Sequence, residues 1–131
     1  MEPFLYTFLY FLIAIVVVFI GVVIFEIITT KYKDWEEIKN GNSAVSLSIA
    51  GKVIGICIIL SFAIYHSDKL LDTLIWGAYG VILQVIAYFI FEVLTRSFSV
   101  EQQLKDGNMA VGIMSLAVSV GLAFVIGASI T

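Results

Sequence analysis

Three ionisable side chains stand where the surrounding sequence is otherwise hydrocarbon: Glu26, Lys52 and Glu92. Such residues are costly inside a bilayer, and they mark either ion and proton pathways or paired structural cores. Glu26 and Glu92 each close an apolar run. Lys52 lies ten residues beyond Asn42, about 15 Å along a helix that rises 1.5 Å per residue. A lysine at that depth needs partners. Helical side chains lean toward the N-terminus of their own helix, so the lysine stem can reach back toward the layer of the two glutamates.

One ammonium against two carboxylates leaves two readings. Either the set is a salt-bridged, hydrogen-bonded core that fixes packing, or one carboxylate holds a proton near neutral pH and the cluster attracts a cation. Gln84, Tyr88 and Glu92 follow one another at spacings of four and share a helical face. This ladder reads as polar residues joining helices or as the lining of a water-filled path. Small residues suit close packing nearby: Gly51 and Gly55 form a Gly-xxx-Gly pair, and Ala117 with Gly121 repeats it, for a contact within the chain or between chains.

The elements that must position these groups follow from composition. Of 131 residues 61% are hydrophobic and 13% charged, which excludes an ordinary soluble domain and calls for a lipid bilayer as solvent. Apolar runs of bilayer-spanning length, about 20 residues, cover Phe4 to Ile28, Ala44 to Tyr65, Thr73 to Leu94 and Met109 to Thr131. The opening Met-Glu-Pro-Phe lacks the basic start of a cleaved signal, so the first run is expected to be a retained span. Lys31, Lys33, Lys39, Arg96 and Lys105 lie in or beside the first and third connections, against Lys69 in the second. The positive-inside rule then puts loops 29–43 and 95–108 in the cytoplasm and both termini outside.

Shifting the chain by 66 residues aligns its halves without a gap. Phe25, Glu26, Thr29, Lys39, Gly41, Asn42, Ala44, Val45 and Gly55 fall on Phe91, Glu92, Thr95, Lys105, Gly107, Asn108, Ala110, Val111 and Gly121. Seven of these nine identities are not aliphatic, so shared hydrophobicity does not account for them. The pattern predicts a tandem repeat, residues 1–66 and 67–131, each unit contributing two spans and both units entering the membrane in the same direction. The expected fold is all-α and transmembrane, a four-helix bundle with a pseudo-two-fold axis along the membrane normal. The alternative is a homodimer in which matching spans of different chains pair.

Before each second span stands the same doorway, Gly41-Asn42 and Gly107-Asn108. The first amides of a helix that starts at the membrane surface need partners that hydrocarbon cannot supply. Asn42 or Ser43, and Asn108, suit the N-cap, while the glycines can take positive φ to turn the chain out of a preceding helix. The other reading is an anion site at the helix N-terminus. Upstream, Tyr32, Trp35 and Ile38, and more weakly Phe98, Val100 and Leu104, suit short cytoplasmic interfacial helices, which act as elbows or as docking surfaces for a cytoplasmic partner. Cys57 stands alone and can form no internal disulfide; His66 beside Asp68 reads as a solvated loop histidine. A net charge of −3 with no basic run suggests no nucleic-acid partner. No nucleophile with its base, metal cluster, Walker loop or dinucleotide fingerprint is legible. The expectation is therefore no enzyme, no cofactor and no metal.

The doubled segments, Lys33 to Gly55 and Ser99 to Gly121, each with Phe-Glu upstream, resemble the bacterial membrane family called domain of unknown function 350 along essentially the whole chain. The resemblance implies a small four-span protein of the bacterial cytoplasmic membrane, with a context of envelope-stress proteins of the phage-shock type. It transfers no catalytic residues. Two functions follow: a noncatalytic membrane module that assembles with itself, as a homo-oligomer, or with an envelope-stress partner; and a small transporter or channel in which Glu26, Glu92 and Lys52 bind a proton, a cation or a small charged solute.

Overall fold

Valine, isoleucine and phenylalanine dominate the long apolar runs, and in water such residues favour strands over helices. In hydrocarbon the preference is overridden, because a helix satisfies every backbone N–H and C=O within its own segment. A computed structural model describes residues 2–29, 33–94 and 99–130. Its helices, in chain order, are α1 (Glu2–Ile28), α2 (Asp34–Lys39), α3 (Ser43–His66), α4 (Leu70–Leu94), α5 (Val100–Lys105) and α6 (Met109–Ala128). Among the described residues there is no strand. Helices α1, α3, α4 and α6 are long and apolar enough to cross a membrane. Helix α4 starts three residues before the apolar run at Thr73, with Asp72 in its first turn, where a carboxylate suits the positive end of the helix dipole. Tyr32, Phe98, Lys31, Arg96, Thr95 and Thr131, used above, lie outside the described residues.

The bounds of the elements recur in the two halves. Helices α1 and α4 end 66 residues apart, α2 and α5 start and end 66 apart, and α3 and α6 start 66 apart. Between α2 and α3, Gly41 takes φ +86°, and between α5 and α6, Gly107 takes φ +81°. At each place the glycine amide donates to the carbonyl three residues back and the following asparagine amide to the carbonyl five back, Glu37 and Gln103 respectively. This is a Schellman closure of the short helix. The asparagine side chain then caps the next helix: Asn42 Oδ1 accepts from Val45 N at 3.1 Å, and Asn108 Oδ1 from Ala110 N and Val111 N. Two adjacent residues thus end one helix and begin another.

Helix α3 is the centre of the bundle. Half of its spanning segment is buried, against 17% in α1 and in α6, and it packs on all five other helices, most extensively on α6. That contact is made through small residues. A Cβ added at Gly51 would stand 2.8 Å from the Leu116 backbone, and one at Gly112 would stand 3.0 Å from the Ala44 backbone. Gly55 faces Ser119, Ala123 and the Gln84 amide. Three apolar clusters surround α3: Ala44, Val45 and Ile49 with Val100, Leu104 and Val111 at the elbow end, Ile56 and Leu60 with Val17, Phe25, Val81 and Tyr88 on the α1–α4 side, and Ile59 and Ala63 with Ala123 and Ile130 at the far end.

The pairs of small residues do not behave alike. Gly51 and Gly55 are buried in the α3–α6 contact, whereas Ala117 and Gly121 are exposed, and nothing lies within 4 Å of where a Gly121 Cβ would stand. Among the described residues, then, the second pair lies on an open side of α6. The reason is a rotation: α6 meets α3 through its 112, 115, 119 and 123 face, which is not the face that corresponds to residues 48, 51 and 55 of α3.

Gly51→Ala should destabilise the protein by about 1–3 kcal/mol, the range for forcing a methyl group into a packed contact, and Gly121→Ala should leave stability within about 0.5 kcal/mol. Reversible unfolding in mixed detergent micelles distinguishes the two variants.

Candidate functional site

Lys52 is the tenth residue of the 24-residue α3 and only 3% exposed. Its ammonium donates to Ser48 Oγ, one turn back, at 2.8 Å. The same ammonium lies 5.3 Å from the centre of the Phe25 ring of α1 and 5.0 Å from the Tyr88 ring of α4. Both distances fall within cation–π range, and desolvation strengthens such contacts. The rings meet edge to face with centroids 5.9 Å apart, so the cation sits between two aromatic walls from different helices.

From this point the polar contacts run in two directions. Ser48 Oγ lies 3.0 Å from Ser115 Oγ of α6, both buried. Tyr88 donates its hydroxyl to Glu101 Oε2 of α5 at 2.6 Å. Glu101 is 9% exposed in a helix of six residues, held down by Val100 and Leu104 on the same side and capped by Ser99, which accepts from Gln102 N. One continuous set of contacts therefore joins α3, α4, α5 and α6 around the Lys52 ammonium.

Of the residues singled out in the sequence, Lys52 and Tyr88 are brought together, as are Gln84 and Gly55. Gln84 is 3% exposed, and its amide occupies the space that a Gly55 side chain would need. Glu26 and Glu92 hold matching places two residues before the ends of α1 and α4, both half-buried, with Glu92 Oε1 withdrawn from solvent. Cys57 and His66 are exposed. Among the described residues no group of three or more His, Cys, Asp or Glu side chains could hold a metal ion.

Two members of the network escape a reading of the sequence. Ser115 is one serine in an apolar span. Glu101 resembles a surface carboxylate in the first turn of a polar helix. The available signal is spacing: residues 100, 101 and 104 share a helical face, so a carboxylate flanked by Val100 and Leu104 is carried inward with them.

The asparagine caps also tie the halves together. Asn42 Nδ2 donates to Glu37 Oε1 at 3.0 Å within its own elbow, as Asn108 Nδ2 does to Gln103 Oε1 at 2.8 Å. Asn42 Nδ2 reaches further, to the Leu104 and Lys105 carbonyls at 2.9 and 3.0 Å. These are the last carbonyls of α5, and Leu104 O also accepts from Gly107 N.

Tyr88→Phe should cost about 1.5–3 kcal/mol, the range for a hydrogen bond to a charged group. In a double-mutant cycle with Glu101→Ala the two losses should be coupled rather than additive, as read by unfolding in mixed micelles.

The chain matches the family described as Domain of Unknown Function (DUF350) over residues 1–130. It is 40% identical over 121 residues to the UPF0719 transmembrane protein YshE of Bacillus subtilis (strain 168), covering 92% of this chain and 90% of that one. To the UPF0719 inner membrane protein YjfL of Escherichia coli (strain K12) it is 33% identical over 79 residues, 60% of this chain and 59% of that one. No solved structure matches it significantly. With four membrane-length helices packed in one bundle and the family match running almost from end to end, this chain belongs to the DUF350 family of bacterial membrane proteins.

Proposed function

We propose that the protein is a noncatalytic membrane module, a bilayer scaffold that assembles with itself or with a cytoplasmic partner, rather than a conduit. The observation that carries this reading is the closed character of the polar core. Lys52, Ser48, Ser115, Tyr88 and Glu101 are engaged with one another, and the cavity beside them has a volume of only about 20 Å³. A conduit needs a continuous polar lining. Here the groove between α1 and α4 is lined by Val17, Ile20, Gly21, Ile24, Leu74, Ala78, Val81 and Ile82, a surface suited to lipid chains.

The repeated helix bounds and doorways support a tandem duplication with units 1–66 and 67–131. The distribution of Lys and Arg supports an inner-membrane topology with both termini outside and the α2 and α5 elbows cytoplasmic. Self-assembly finds its surface on α6, where Ala117 and Gly121 are exposed. A cytoplasmic partner of the envelope-stress kind finds it on α2, where Trp35 is 55% exposed.

Purified protein in proteoliposomes should conduct neither protons, alkali cations nor polyamines at acidic, neutral or mildly alkaline pH. Flux that disappears in Glu92→Gln or Lys52→Met would overturn the scaffold reading in favour of transport. A reporter fused to the C-terminus should be active only outside the cytoplasm, and activity in the cytoplasm would invert the topology.

A further inference from the structure

Gln84 presents a chemical problem that the protein alone does not solve. Its side chain is 3% exposed, and neither Nε2 nor Oε1 has a hydrogen-bond partner in the protein. An amide buried without partners costs several kcal/mol in an apolar surrounding, and the bilayer offers none. A leucine at this position would avoid that cost. The glycine at position 55 of α3 leaves open the space that the end of this side chain occupies.

The amide borders a cavity of about 20 Å³ that is also lined by Phe25, Tyr88, Ser115, Ser119 and Leu122. A cavity needs roughly 10–15 Å³ to hold one water, and the water needs two to four polar partners. Gln84 supplies a donor and an acceptor, and Ser115 and Ser119 supply hydroxyls. The chemistry of the Gln84 amide selects the occupant. An ammonium can only donate, so Ser48 Oγ accepts from Lys52, and it shares a further hydrogen bond with Ser115 in which either hydroxyl can be the donor. The occupant must accept from Gln84 Nε2 and must donate to Gln84 Oε1. Water meets both demands; an ammonium ion cannot accept, and a halide cannot donate.

We infer that the junction of α3, α4 and α6 is a binding site for one structural water, held by Gln84, Ser115 and Ser119. The water completes a hydrogen-bonded chain from the α4 amide through Ser115 and Ser48 to the Lys52 ammonium. It bridges α4 to α6, whose direct packing is much slighter than that of α3 on α6. This site is independent of whether the protein conducts ions, because a single enclosed water is compatible with a closed bundle.

A high-resolution crystal structure of the wild-type protein grown in a lipidic mesophase, prepared in bromide, tests this without any substitution. The expected result is a density peak about 2.7–3.2 Å from the Gln84 amide, the range of ordinary hydrogen bonds, with no anomalous bromide signal. In parallel, radiolytic hydroxyl labelling, which reports side chains beside bound water, should modify Tyr88 and Phe25 despite their burial. Gln84→Leu, checked for its helical content and monodispersity, should lose that labelling. A well-ordered Gln84 with no peak, a Gln84 amide bonded to protein atoms, a bromide signal at the site, or equal labelling in the wild type and Gln84→Leu would each overturn the inference.

Discussion

The structure is organised around one ammonium group that hydrocarbon cannot solvate. Lys52 lies well inside a spanning helix, where an isolated charge is among the least tolerated groups. Each neighbouring element contributes to its accommodation: α1 brings the Phe25 ring, α4 the Tyr88 ring, and α3 itself the Ser48 hydroxyl one turn away. Ser48 in turn meets Ser115 of α6, and Tyr88 donates to Glu101 of α5. Between spans that apolar packing alone orders weakly in lipid, these polar contacts fix which faces meet. The central position of α3 and the burial of its lysine are therefore two aspects of one constraint.

The halves share a backbone plan and differ in chemistry. At corresponding places Lys52 has Val118, Gln84 has Val18, Ser99 has Lys33 and Glu101 has Trp35. The consequences are local and physical. Ser99 caps α5 and Glu101 turns inward, whereas the N-cap of α2 at Lys33 makes no side-chain bond and Trp35 faces outward. A bundle that looks symmetric in its helix bounds is asymmetric in the side chains that bind it together, with Ser48, Lys52, Tyr88, Glu101 and Ser115 gathered in one network.

How much of this could be read from the chain follows from the nature of each signal. The four membrane helices were legible because hydrophobic length is a one-dimensional property. The Gly-Asn doorways were legible too, since positive φ and N-capping are demands of the local backbone that few residues meet. The charged residues announced themselves by their cost. What the sequence did not reveal was rotation about the helix axes. The exposure of Ala117 and Gly121, the meeting of Ser48 with Ser115, and the inward turn of Glu101 each depend on which face a helix presents to its neighbour. In a nearly uniform apolar span the hydrophobic pattern that normally reports this is absent, because the lipid-facing side is as apolar as the buried one.

The order of the helices along the chain has a consequence for how the protein is made. When α3 first inserts, its lysine can draw on Ser48 and on Phe25 of the preceding helix. Tyr88, Glu101 and Ser115 all belong to segments synthesised later. The polar core has its full set of partners only once α4, α5 and α6 have joined α3, so the charge that organises the bundle is buried by the second half of the chain rather than by the helix that carries it.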